Sequence, residues 1–186
     1  MLGVARGGVL CAAAVAQTHA LPLDIIVIRK VGHPMQPELA IGAVSAHGEA
    51  VTTEHAGSFS PHLFQSLVAR SRREAQSLEE RLRGDEPALA LEGKPVVVVD
   101  DGIATSATMM CALLAVRNRG ATSITCAVPV APVDSLAYLR AQYDDVRVLI
   151  EAHDIPFAVG QYYLVFGEVE DGRVRDELAQ ARIRDR

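Results

Sequence analysis

The hydrophobic pattern of this chain switches repeatedly between two periods. Leu23 to Ile28, Val96 to Val99, Ser123 to Val130 and Val146 to Ile150 are dense apolar runs, rich in β-branched residues and too short for helices. Such runs fit strands buried on both faces of a parallel sheet. Met1 to Ala5 is a further short strand, followed by an Arg6-Gly7-Gly8 turn and an apolar helix from Val9 to Ala20. Ser60 to Arg83 is the clearest amphipathic helix, with Leu63, Leu67, Ser71, Ala75, Leu78 and Leu82 at steps of three and four. Arg70–Glu74 and Glu79–Arg83 support its wet face. Another helix follows Thr108, turns Met109, Leu113, Leu114 and Val116 inward, and ends in Arg117-Asn118-Arg119 with Gly120 as a glycine C-cap. Pro132 to Tyr143 gives a third helix, and Gly172 to Arg186 a terminal one that frays in its charged tail. Ala43 to Ala46 and Ala50 to Thr53 form a hairpin around His47-Gly48. Val31 to Gly42, with Pro34, Pro37 and no period, reads as a mobile active-site loop, and Gly84 to Gly93 as a connector. Strands alternating with helices predict an α/β fold: one domain over residues 1–186, a parallel sheet with helices on both faces joined by right-handed crossovers.

Composition narrows the class without naming a chemistry. Hydrophobic residues make up 49% and charged residues 22%, as in a globular chain with an ample core. A formal net charge of −5 offers no electrostatic attraction for nucleic acid. No apolar stretch reaches the roughly 18 residues of a membrane span. The opening GGVLCAAAVAQ is broken by glycines and preceded only by Arg6, so it is not read as a secretion signal. Cys11, Cys111 and Cys126 lack paired spacing and sit in apolar segments, which fits a reducing, cytoplasmic setting. The six histidines show no ligand spacing, which argues against a dedicated metal cage.

The chemistry concentrates at Lys94 to Thr108, KPVVVVDDGIATSAT. A buried strand ends in Asp100-Asp101, a string of small residues follows, and a helix begins. Free backbone N–H groups and the helix dipole make such a corner an anion site. The hydroxyls of Thr105 and Thr108 add donors. Two carboxylates beside an anion cradle make sense if they face sugar hydroxyls or a hard cation. Arg6-Gly7-Gly8 forms a second strand-to-helix corner of the same kind.

Together these corners resemble the type I phosphoribosyltransferase family. In that family the two acids hold the ribose hydroxyls of phosphoribosyl pyrophosphate (PRPP), and the loop Gly102, Ile103, Ala104, Thr105, Ser106, Ala107, Thr108 would hold its 5′-phosphate. The resemblance makes Arg6, Gly7 and Gly8 the pyrophosphate loop, and RKVG followed by PELAIGA is similar to a subgroup of uncharacterised bacterial phosphoribosyltransferases. It implies a Rossmann-like sheet and Mg²⁺-dependent transfer of phosphoribosyl from PRPP to a small nitrogen acceptor, a purine-type base among the candidates, with release of pyrophosphate. Asp100 and Asp101 would position Mg²⁺ indirectly, through substrate and water, and would act with Arg29 and Lys30 as the catalytic residues. The last two lie at a strand end where the anionic leaving group would sit. The segment 152–170, which holds Phe157, Tyr162, Tyr163 and Phe166, resembles the small hood folded over the base, with Phe157 stacking and Val159 reading the base through its backbone. Ala104 stands where enzymes for 6-oxopurines carry an aspartate, which disfavours hypoxanthine and guanine. Three departures accompany the resemblance. Ser106 replaces a loop glycine and would be strained at positive φ, Val165 replaces a carboxylate, and the first strand begins at the initiator methionine. A clipped first strand would leave an apolar face that a dimer or an upstream segment would cover. The alternative function on the same fold is a non-catalytic PRPP or nucleotide sensor. An unrelated α/β hydrolase or reductase would need GxSxG or GxGxxG, which the chain lacks.

Overall fold

The computed structural model describes residues 1–184, so the expected fraying at Asp185 and Arg186 lies outside the described residues. The apolar runs become a five-stranded sheet of β1 (Leu2–Val4), β2 (Asp24–Ile26), β6 (Pro95–Val99), β7 (Ser123–Pro132) and β8 (Asp145–Ala152). The spatial order is β2-β1-β6-β7-β8, and every neighbouring pair is parallel. Helices α1 (Gly7–His19), α2 (Pro61–Arg83) and α5 (Asp171–Arg184) share one hydrophobic cluster with Ile25 and Val99 of the sheet. Helices α3 (Ala107–Asn118) and α4 (Val133–Arg140) share the other with Leu2, Val96, Val98 and Ile124. The valine run of β6 therefore serves both layers by simple alternation, since successive side chains point to opposite faces.

β1 is an interior strand, second in the order and next to the β2 edge, with Leu2 opposite Asp24 on one side and Val98 on the other. Its three residues are all buried. α1 covers this part of the sheet, and Val174, Leu178 and Ala181 of α5 join the same cluster as Val9, Ala12 and Ala16 of α1. The expected uncovered apolar face at the short first strand is therefore absent among the described residues. α5, an element with weak periodicity, contributes to that cover.

The region between β2 and α2 differs from expectation. The apolar run Leu23 to Ile28 divides at Val27, and the second part starts an antiparallel sheet of β3 (Ile28–His33), β4 (Gln36–Ser45) and β5 (Ala50–Thr52). Arg29 and Lys30 thus sit inside a ladder, opposite Val44 and Ala43, and not at the carboxyl end of a parallel strand. The expected mobile loop Val31 to Gly42 is largely strand. Val31, Ile41 and Val44 bury together against Phe59, Phe64, Leu67 and Val68, which ties the ribbon to α2. Register shifts between Val31 and His33 break the alternation that would have marked a strand. The hairpin between β4 and β5 forms as expected. Its turn is held by Ser45, whose hydroxyl accepts from the N–H groups of His47, Gly48 and Glu49.

One buried charge network fastens the far end of the molecule. Asp24 is buried, and its carboxylate accepts from Arg83 at 2.5 Å, from Leu89 N–H at 2.9 Å and from Ile25 N–H at 2.8 Å. Glu79 takes a second guanidinium N–H of Arg83 at 3.1 Å. One carboxylate thereby joins β2, α2 and the connector that follows α2.

Candidate active site

Counting only the parallel strands in chain order, the sheet runs 2-1-3-4-5, and the direction of winding reverses between β1 and β6. Ligands of open α/β sheets bind outside the carboxyl ends of the strands at such a point. Here a cavity of about 940 Å³ opens beside the ends of β1 and β6. The Arg6-Gly7 corner and the Asp100 to Thr105 corner, far apart in sequence, both line it, together with Thr108.

The two corners touch through glycine. A methyl group on Gly7 would fall 1.9 Å from Asp101 Oδ2, and one on Gly8 would fall 2.6 Å from the Val99 carbonyl oxygen and 2.8 Å from Asp100 Cα. Both glycines are needed because the first turn of α1 is pressed onto the carboxylate pair. Gly8 itself is buried beneath the site and does not line the cavity, whereas Gly7 does. In the second corner, Ile103 N–H is used by Val130 O at 3.0 Å. The N–H groups in the first turn of α3 have no partner within the helix and are free to receive an anion. Ser106 has φ −70 and ψ −15, an ordinary right-handed conformation, so the expected strain at this position does not arise. Ser106 and Ala107 face a neighbouring recess shared with Thr105, while Ala104, Thr105 and Thr108 face the main cavity.

Asp100 and Asp101 are half-buried neighbours. Burial and the adjoining Asp101 charge push the Asp100 carboxyl well above the usual carboxylate range, and burial raises Asp101 as well. Asp100 Oδ1 accepts from Asp101 N–H at 2.9 Å, which fixes the pair's orientation. Lys30 is the cation that opposes both shifts. Such a pair is costly to hold ionised without a positive partner, so its chemistry invites a hard cation or a hydroxyl-bearing ligand. Among the described residues no three metal-ligating side chains gather in one place.

Arg29 and Lys30 reach the same cavity, although from the antiparallel ribbon. The Arg29 Nε is buried and lacks a hydrogen-bond partner. Arg6 lines the cavity too, but its guanidinium is engaged: it donates to Glu168 and, at 3.3 Å, to Asp171 Oδ1. Asp171 also accepts from Arg81 Nε at 3.1 Å, and Arg81 and then Arg6 hold its carboxyl below the usual range.

The hood segment closes the other side. Phe157, Ala158, Val159, Gly160 and Phe166 give that wall an apolar surface without a charged side chain. Phe157 lies against Tyr162 with ring centroids 5.7 Å apart, and Tyr163 against Phe166 at 5.2 Å. The hood is seated on the phosphate-type loop, because a methyl on Gly102 would fall 2.5 Å from Val159 Cγ1. Tyr163 adds a second fastening by donating its hydroxyl to the Asp101 carbonyl oxygen at 2.5 Å. Val165 is exposed and lines no part of the cavity.

Sequence reasoning missed several wall residues. Glu74 of α2 and Met109 of α3 line the cavity, and Phe166, expected only as part of the hood, lines it as well. Glu74 was visible only as half of a surface pair with Arg70, which it does form at 3.1 Å. Glu168 and Asp171 carried no positional signal, and the Tyr163 contact to Asp101 was not foreseen, since each acts through contacts distant in sequence.

Two Mycobacterium tuberculosis proteins that carry a provisional phosphoribosyl transferase name, from strains CDC 1551 and H37Rv, are each 38% identical over 177 residues. That match covers 94% of this chain but 40% of each relative, so the chain spans about two fifths of their length. The crystal structure of TT1426 from Thermus thermophilus superposes with a TM-score of 0.79 at 40% identity, covering 96% of this chain and 86% of that one. A profile of the phosphoribosyl transferase domain matches residues 1–166, and the chain belongs to that family.

Proposed function

We propose that this chain transfers the phosphoribosyl group of PRPP to a small nitrogen acceptor in the cytoplasm, with release of pyrophosphate and with Mg²⁺ as cofactor. The observation that carries this reading is the meeting of two strand-to-helix corners at the sheet's switch point, with the Gly7 backbone against Asp101. One corner offers backbone donors beside two carboxylates and the other offers backbone donors beside an arginine. This suits a substrate with a phosphate at one end, hydroxyls in the middle and a pyrophosphate at the other.

Each group then has a definable task. Loss of pyrophosphate builds positive charge on the sugar ring and negative charge on the departing oxygens. Asp100 and Asp101 orient the ribose hydroxyls and stabilise the ring charge. Thr105, Thr108 and the first turn of α3 hold the 5′-phosphate and so fix the sugar. The Gly7 N–H, Arg6, Arg29 and Lys30 meet the leaving group, all four residues lining the cavity. Bound Mg²⁺ would screen the carboxylates from the substrate phosphates, with most of its oxygen ligands coming from substrate and water. The acceptor supplies the nucleophile and lies on the apolar wall, where Phe157 stacks on its ring. The lack of charged side chains on that wall supports recognition by stacking and backbone groups, and Ala104 supports an acceptor other than a 6-oxopurine.

Pyrophosphate release from PRPP across a panel of nitrogen bases, with Mg²⁺ and with excess EDTA, tests the reading. Release with at least one base that EDTA abolishes is the expected result. Tight PRPP binding without turnover on any base would favour the sensor, and absence of both binding and turnover would overturn the proposal.

A further inference from the structure

β8 forms a free margin of the main sheet. It pairs with β7 alone, and no other described residue hydrogen-bonds its outer backbone. The edge is eight residues long, and its central Leu149 is 85% exposed, with Ile150 at 45%. Long edges of this kind are templates for another strand unless charge or distortion blocks them. This edge does carry charge, and the order of the charges selects one partner.

A second copy related by a two-fold axis must pair antiparallel, and residues facing each other must lie on the same face of the sheet. With the axis at Leu149, Arg147 of each copy faces Glu151 of the other, and Asp145 faces His153. Leu149 then meets its own counterpart. On the opposite face Val148 meets Ile150 and Val146 meets Ala152, so the exposed part of Ile150 is covered. Moving the axis to Val148 places Asp145 against Glu151 twice and Arg147 against leucine. Opposite charges across a ladder stabilise it and like charges destabilise it, so the register centred on Leu149 is the one that pairs all four charged or titratable positions of DVRVLIEAH while overlapping the full length of the strand. In the single chain Arg147 turns to Asp145 at 2.6 Å, and Glu151 is met by Arg140 at 2.5 Å. Both of these pairs are solvent-exposed and weak, and they are easily exchanged.

We propose that two copies of this chain associate edge to edge through β8, joining their sheets into one continuous ten-stranded sheet with a two-fold axis at Leu149. The cavity residues are elsewhere, so each copy keeps a complete site.

Analytical ultracentrifugation of the 186-residue chain and of two charge reversals, Arg147→Glu and Glu151→Arg, provides the test. The wild-type chain should dimerise with a Kd in the micromolar range or tighter, near −8 kcal/mol at 1 μM. Each reversal alone should weaken association at least tenfold, because it sets like charges opposite each other twice. An equimolar mixture of the two variants should form a heterodimer, in which every pair is complementary again. Circular dichroism and melting temperatures close to wild type will show that both variants fold. A wild-type monomer, reversals that dimerise as well as wild type, or variants that fail to pair when mixed would each overturn the proposal.

Discussion

Asp100 occupies a position where function and stability are opposed. Its carboxyl is raised by burial and by Asp101, so the ionised pair costs free energy in the empty protein. Asp100→Asn keeps the oxygen that accepts from Asp101 N–H and removes one charge. Relief of a like-charge pair is of order 1 kcal/mol, and the empty variant should melt about 2–4 °C higher than wild type. Its turnover should fall by roughly 10²-fold or more, since a charge opposite the developing ring cation is lost. A variant that gains stability and keeps turnover would remove Asp100 from the proposed chemistry. Thr105→Ala should behave differently. It deletes one hydroxyl donor to a charged phosphate, a loss of about 1.5–3 kcal/mol, and should appear as a KM for PRPP raised by roughly tenfold or more with kcat little changed. Steady-state kinetics of the two variants side by side separates the roles. At this scale the sequence was readable because a carboxylate pair after four valines is a local signal. The adjacency of the two acids is local, but the burial that raises them and the grip of Gly7 on Asp101 were not readable, because both are made by residues remote in the chain.

At the scale of elements, the hood and the phosphate-type loop behave as one unit, since Val159 fills the space that a side chain on Gly102 would need. Gly102→Ala should force the two apart at a cost of about 1–3 kcal/mol, as overpacking does, and should lower PRPP and acceptor affinity together. Val159→Ala in the same chain should restore much of both, because it vacates the clash. Melting curves and binding isotherms of the single and double variants check this, and additive losses would show that the two positions act independently. The βα corners and the five parallel strands were legible because apolar runs and their punctuation are local. The β3–β4 ribbon was not, because Pro34 and Pro37 imitate a loop and the register shifts near Gly32 erase the period of two. Its apolar partners Phe59 and Phe64 come from later in the chain. Proline is tolerated in β4 because the pairing with β5 covers only Gly42 to Val44.

For the whole molecule, the buried Asp24 carboxylate is a cross-tie outside the site that joins β2, α2 and the connector after α2. Asp24→Ala would leave the buried Arg83 with Glu79 as its one carboxylate partner, beside the Ile25 carbonyl oxygen, and would strip Leu89 N–H of its acceptor. Breaking such a pair costs about 3–5 kcal/mol, which corresponds to a melting temperature lower by roughly 6–20 °C for a domain of this size. The PRPP affinity of the folded fraction should not change, and a loss of affinity without a loss of stability would contradict the assignment. Another consequence follows from Leu2 pairing with Val98 at the heart of the sheet. Closing so long a stretch of chain carries an entropy cost that nearby contacts do not repay until the parallel strands have come together. The cavity depends on that closure, so no partly folded chain contains half of a working site. In a refolding experiment, recognition of PRPP should return with the same time constant as the global backbone signal. A ligand-competent species appearing earlier would mean that the corners can meet without the sheet beneath them.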